Sequence, residues 1–184
     1  MAILKIARMG HPILASRAQP VPDPSAPKMR NLVNSMIETM RDADGAGLAA
    51  PQVHVPLRVV IFQAPDERTD GSVPQDERYD HTAPLTVLIN PDVETLDDTT
   101  EGGWEGCLSV PGLRGYVERP GHIRYRGFNL DGSEIVRVAR GFHARVVQHE
   151  IDHLDGILYP QRMTDLTRLI FESEARHWAA RGST

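Results

Sequence analysis

The chain has 184 residues, 40% of them hydrophobic, with 20 Lys and Arg against 25 Asp and Glu for a net charge of −5. That length suits one domain, expected to span residues 1–184, and suffices to bury a core. An acidic balance with a pI near 5.9 gives no electrostatic footprint for nucleic acid, mixed charge signs give no basic face for a membrane, and no apolar run approaches a membrane span.

Residues 1–22 carry Lys5, Arg8 and Arg17 and no acid, a composition that organelle transit segments share. Pro20, Pro22, Pro24 and Pro27 then mark an extended stretch, after which Met29, Leu32, Val33, Met36, Ile37 and Met40 recur at helical spacing. A Met stripe of this kind is read as core, not as a ligand groove. Asp44-Gly45-Ala46-Gly47 ends that helix. Residues 58–63 contain a continuous apolar run and predict a strand, whereas 65–83 are polar without apolar period and predict a long surface loop. Strands are expected over 84–90 and 93–96, followed by a Gly-rich block around Cys107 whose backbone bends closely around something. Further strands are expected over 113–118, 123–130 and 134–139, the last two joined across the turn signal Asp131-Gly132. Helices close the chain over 142–154 and, started by Thr164 or Asp165, over 164–180. Strands precede and surround helices without βα alternation. The fold class is therefore α+β, with antiparallel or mixed sheets around a central metal-binding helix and a C-terminal helix.

The informative segment is His149-Glu150-Ile151-Asp152-His153. Residues i and i+4 share a helix face, so both imidazoles can reach one divalent ion while the Glu projects to the flank. That pattern belongs to metallohydrolases. Such ions usually take three protein ligands, and the third is open from spacing alone. Where one protease group has a third His, this chain has Tyr159, a poor ligand. Glu172 and Glu174 are plausible in the manner of a zinc endopeptidase, and Cys107, the only cysteine, is the remaining candidate. One Cys excludes an intramolecular disulfide and suits a reducing compartment. A closed structural zinc site would instead need a fourth protein ligand, such as Asp152 or His143.

Three blocks in this order, Gly45-Ala46-Gly47-Leu48-Ala49-Ala50-Pro51-Gln52, Glu105-Gly106-Cys107-Leu108-Ser109 and Gln148 to Gly156, are similar to motifs of the peptide deformylase family. The resemblance runs from about residue 3 to about Met163, which also makes the basic N-terminal stretch part of a folded domain and a cytoplasmic location the expectation. It implies a peptide-deformylase-like fold and removal of the formyl group from the N-terminal formylmethionine of nascent polypeptides, with release of formate. It implies that Cys107, His149 and His153 bind one divalent metal ion, Fe2+ in the family, although Zn2+, Ni2+ or Co2+ would suit the same ligands. Glu150 would move protons, and Gln52 with the Leu108 backbone N–H would face the reacting oxygen. Ala46, Gly47, Gly106 and Arg114 would line the peptide. Glu105 belongs to the same substrate-binding set, and it is expected to pair with Arg119 and brace the Cys107 strand. The partners implied are an N-formylmethionyl peptide or nascent chain and, transiently, the ribosome.

Further expectations concern the face of the metal helix and the charge of the ion. Phe142, Val146, His149 and His153 fall at i, i+4, i+7 and i+11, so Phe142 and Val146 are candidates for the apolar wall that holds a methionine side chain, with packing against the sheet as the alternative for Phe142. Arg145 on the adjoining face is expected to snorkel past that pocket. An ion held by one thiolate and two neutral imidazoles keeps a net charge of +1, so it is a weaker Lewis acid than one held by three imidazoles. It needs a base and fixed hydrogen-bond donors to complete the chemistry.

Overall fold

Val59, Val60, Ile61 and Phe62 are apolar without alternation, and in the computed structural model, which describes residues 2–65 and 78–179, both faces of that strand are covered. Helix α1 (Pro27–Asp42) leads to β1 (Gly47–Ala49) and β2 (Val59–Ala64), and a helical turn, α2 (Arg78–His81), precedes β3 (Ala83–Thr95). Then come β4 (Thr100–Cys107), β5 (Val110–Pro120), β6 (His122–Phe128), β7 (Glu134–Arg140), α3 (Gly141–Leu154), β8 (Leu169–Phe171) and α4 (Ala175–Ala179). One antiparallel sheet runs β1-β2-β3-β6-β7 and a second runs β4-β5-β8.

The period-2 geometry of β2 sends Val60 and Phe62 into the core shared with α3, and Val59 and Ile61 into the core shared with α1. That is why the run shows no polar alternation. The Met stripe of α1 is core as expected: Met29, Val33, Met36 and Met40 are all buried against β2 and its neighbours. Each such side chain contributes about 1.5–3 kcal/mol by leaving water. Pro27 at the first helical position and Arg41 in the last turn suit the two ends of this helix.

Helix α3 packs against β1 and β2 on one side and reaches β5 of the small sheet, so from His143 to Leu154 only Arg145 and Gln148 are not buried. Its two His ligand candidates therefore face the seam between the sheets. The hairpin at Asp131-Gly132 forms as expected, with Asn129 N–H donating to the Ser133 carbonyl at 2.9 Å.

Several local expectations are corrected. The stretches 84–90 and 93–96 form one strand, β3, bent where Asn90 takes φ 51° and the register shifts between Ile89 and Asp92. Asn90 is held in that bend by its amide, which exchanges hydrogen bonds of 2.8 and 2.9 Å with the Val21 backbone. Residues 66–77 of the expected loop lie outside the described residues, but 78–81 are helical and Ala83 already pairs in β3. The helical turn is fixed by a distant partner, the His143 ring, which donates from Nδ1 to the Asp80 carbonyl at 2.8 Å. The helix expected over 164–180 is broken. Asp165 does cap a turn, accepting from Thr167 N–H at 2.9 Å, but the chain then pairs with β5 as β8, and only Ala175–Ala179 is α-helical before residue 180 leaves the described range. Pairing with an available strand edge outweighs the local helical pattern.

His143 is fully buried, and burial is the main reason its pKa is lowered from 6.5 to about 4. Because Nδ1 donates to a carbonyl, Nε2 accepts from the Tyr125 hydroxyl at 3.1 Å, an arrangement that the neutral ring completes. A depressed folded pKa gives stability that is present above the unfolded value and lost as pH falls through the folded one. Between pH 7.5 and 5 this group alone should remove roughly 2 kcal/mol. Urea unfolding of the metal-saturated protein at both pH values should show a smaller acid loss for His143→Gln than for wild type. Identical losses would mean that His143 is not held neutral.

Candidate metal centre

The ladder of β4 with β5 breaks its register at Gly106 and Cys107, which turns the thiol toward α3. There the Cys107 Sγ and one ring nitrogen each of His149 and His153 lie within 4.8 Å of one another, with Sγ 3.2 Å from His153 Nε2. A thiolate with two imidazoles is a donor set for zinc, iron, nickel or cobalt. The His149 tautomer supports that use. Its Nδ1–H donates to Glu105 Oε2 at 2.8 Å, which leaves the Nε2 lone pair for an ion. The residues present fit a divalent metal.

Glu105 is the hub of the support. Arg119 donates to both of its oxygens, from Nε at 2.6 Å and Nη2 at 2.9 Å, and Arg145 Nη1 adds a third guanidinium bond at 2.8 Å. Burial by itself would raise the Glu105 pKa, but the Arg119 and His149 hydrogen bonds and charges outweigh it and hold the carboxyl well below the usual range. Arg119 Nη1 continues to Asp152 Oδ2 at 2.8 Å, and Arg162 closes the chain on Asp152. For His149, burial favours the neutral ring, but its contacts with Cys107 and Glu105 win and raise its pKa well above that of a free imidazole. Burial and the neighbouring His149 lower His153. Thiol and imidazole ligands must give up their protons to hold an ion, so binding releases protons.

Gln52 is buried at the end of the 3-10 turn Ala50–Val53. Its Oε1 accepts from Ala49 N–H at 2.8 Å, which fixes which end of the amide is which. The NH2 end then points at the centre, 3.6 Å from Cys107 Sγ and 3.1 Å from Ser109 Oγ. A Cβ on Gly47 would stand 2.6 Å from the Glu150 Cδ, so only glycine lets β1 lie this close to the carboxylate. Burial pushes the Glu150 pKa up to about 7, and its Oε2 has no partner among the described residues.

These groups form one end of a cleft of about 600 Å³. The matching family model, described as polypeptide deformylase, covers residues 3–169. Over 165 residues the chain is 53% identical to peptide deformylase 1 of Bordetella pertussis, with 89% of each covered. The chain belongs to the peptide deformylase family. Its fold is similar to peptide deformylase from Ehrlichia chaffeensis, with a TM-score of 0.82 at 31% identity over 98% of this chain and 97% of that one. It is also similar to a Met-Ala-Ser-bound class I type b peptide deformylase from Acinetobacter baumannii, with a TM-score of 0.76 at 35% identity over 88% and 99% of the two chains. Like its family, it is a metal-dependent hydrolase that removes the N-formyl group from nascent polypeptides.

The zinc endopeptidase reading fails within this deformylase site, because Glu172 is spent on Arg114, accepting from Nε at 2.9 Å and Nη2 at 2.6 Å, and Glu174 sits beside Ser173 and His177. The closed four-ligand reading fails as well. Asp152 is committed to two arginines and His143 lies between Tyr125 and Asp80.

Ala46, Gly47, Gly106, Leu108 and Arg114 all line the cleft. So do Phe142 and Val146, and Phe142 is 45% exposed. Glu105 lines the cleft too, with its carboxylate held by Arg119, Arg145 and His149. Arg145 does not snorkel outward. It bends in to Glu105, the Val117 carbonyl and the Glu101 carbonyl, all within 2.9 Å. The glycines of β4 are also used differently than expected: Gly102 and Gly103 make room for Tyr116 and Arg145, and Gly106 opens on the cleft.

Two supporting residues were missed by sequence reasoning. Ser109, wholly buried, accepts from Gln52 and directs its own N–H at Cys107 Sγ, 3.4 Å away, and its place within the second motif was the available signal. Tyr159 stacks on His149 with ring centroids 6.2 Å apart and planes at 23°. Burial, then the Cys107 charge, pushes its phenol up to about 12. No spacing rule announces a stacking partner.

Proposed function

We propose that Cys107, His149 and His153 hold one divalent ion, Fe2+ on the strength of family resemblance, and that Glu150, Gln52 and the Leu108 backbone carry out the deformylation beside it. The observation that carries this reading is the pairing of a buried Glu150 carboxylate, one oxygen of which has no partner among the described residues, with an amide donor fixed beside Cys107. When bound, such an ion supplies Lewis acidity at the attacked carbonyl and acidifies water. Glu150 Oε2 takes the proton of the attacking water and hands it to the departing amine, which must leave protonated. Gln52 Nε2–H and the Leu108 N–H face the formyl oxygen as negative charge grows on it. The buried surroundings of these groups strengthen each such bond.

The Met-Ala-Ser complex of the Acinetobacter relative supports a peptide lying along this cleft. Ala46, Gly47 and Gly106 would border its backbone, Arg114 its downstream end, and Phe142 with Val146 its first side chain. A nascent chain as substrate implies work in the cytoplasm, in passing contact with the ribosome. No described helix is long and apolar enough to cross a membrane.

The protein should release formate from formyl-Met-Ala-Ser, act poorly on acetyl-Met-Ala-Ser and leave internal peptide bonds intact. A formyl carbon carries only hydrogen, whereas an acetyl methyl must fit between Gly47 and the Cys107 turn. Replacing Met by Ala should cost about 1–3 kcal/mol in kcat/KM, the scale for vacating an apolar pocket. Formate assay alongside mass spectrometry reads all three. Comparable kcat/KM on the formyl and acetyl peptides would sink this reading of the site.

A further inference from the structure

The cleft wall that Phe142 and Val146 provide is interrupted by a cation. Arg145 lies between them in sequence, lines the same cleft, and has a side chain only 12% exposed. A guanidinium has five N–H donors. Nη1 is occupied on both sides by Glu105 and the Val117 carbonyl, and Nη2 gives one bond to the Glu101 carbonyl. The Nε–H and one Nη2 hydrogen remain without a partner among the described residues, on a side chain that lines the cleft. The guanidinium lies over Gly103, where a Cβ would stand 2.9 Å from Cζ and Nη2 and 3.0 Å from Nε. The guanidinium keeps its place because residue 103 has no side chain.

We propose that Arg145 is a specificity-determining residue that gives the first-side-chain pocket a hydrogen-bond donor, so that the enzyme also accepts formyl peptides whose first side chain ends in an oxygen acceptor. Methionine sulfoxide fits this description with the least change from methionine, since it adds one strongly accepting oxygen at the sulfur. The inference rests on the reading above that Phe142 and Val146 hold the first side chain. An all-apolar pocket would leave the sulfoxide oxygen unpaired and penalise it, whereas a charged donor offsets that loss. The reaction is unchanged: the formyl C–N bond is hydrolysed, formate leaves, and the sulfoxide is neither reduced nor oxidised.

The test compares kcat/KM for formyl-Met(O)-Ala-Ser, formyl-Met-Ala-Ser and formyl-Ala-Ala-Ser by formate release. In the native metal-loaded enzyme the sulfoxide peptide should fall within about tenfold of the methionine peptide, and Arg145→Leu should widen that gap by a further tenfold or so, the value of a charged hydrogen bond. Arg145→Leu also removes a partner of Glu105 and lowers all rates, so the ratio of the two substrates is the readout. Gly103→Ala, which displaces the guanidinium without removing its charge, should widen the same gap and decides the matter if Arg145→Leu does not fold. An unchanged ratio in the variants, or a native sulfoxide penalty above about a hundredfold, overturns the proposal. Val146→Phe tests the underlying pocket separately. If it depresses the formyl-Met rate but spares formyl-Ala, the pocket reading stands whatever the sulfoxide ratio does. Equal effects on both remove the pocket and the proposal together.

Discussion

Glu150→Gln keeps its metal and loses turnover by at least about a hundredfold, since general acid–base groups commonly contribute 10²–10⁴. Glu150 is not among the three gathered ligands, so replacing its carboxylate by an amide of the same shape should leave metal content per chain unchanged. The amide also suits the burial of the site, because it carries no charge to desolvate, so the variant should fold normally. What it lacks is a group that can both take and return a proton. Gly47 lies against this side chain with no room for a Cβ, so the replacement must also stay in place. Metal analysis with steady-state formate release separates the outcomes. A metal-replete Glu150→Gln enzyme with turnover within a few-fold of wild type would falsify the proton-carrier role.

Cys107→Ala should lose most of its bound metal and with it nearly all activity, whereas Glu172→Ala should retain both. The thiolate is the only anionic ligand of the three, and its removal leaves two imidazoles, of which His149 is braced and His153 has a buried Nδ1 with no partner among the described residues. Gln52 Nε2 and the Ser109 N–H would also lose the sulfur they both approach. His153→Ala should resemble Cys107→Ala. Glu172 pairs with Arg114 on the exposed rim of the cleft, and its loss reaches no ligand. Metal per chain measured by mass spectrometry after anaerobic purification is the direct readout. Full metal content in Cys107→Ala would transfer the third-ligand role elsewhere.

The ease of reading differed sharply between neighbouring elements. The Met stripe, the apolar run at 59–62 and the turn at Asp131-Gly132 were legible because each is a statement about residues close in sequence: a helical period, a strand covered on both faces, a turn dipeptide. The same rules failed over 164–180. A real cap at Asp165 opens that segment, but the free edge of β5 claims Leu169–Phe171 as a strand. Arg145 was misread for a related reason. A charged residue beside an apolar face is expected to reach for water, and only the arrival of Glu105 from β4 gives it a reason to turn inward.

The sequence by itself determined the two imidazoles of the site, because i and i+4 on one helix share a face and both rings can reach one ion. It also determined the family, through three motifs in order. Spacing left the third ligand open and the family resemblance pointed to Cys107, whereas only the tertiary structure decided which way the Gln52 amide faces and how many cations surround Glu105. Those depend on β4, the 49–52 turn and α3 arriving at one seam, and spacing along the chain carries no information about a meeting between segments that are joined only by packing. Cys107 stands beside His153 because Arg119 and Arg145 bind the carboxylate two residues before it, and because buried charges must be paired wherever the fold brings them together.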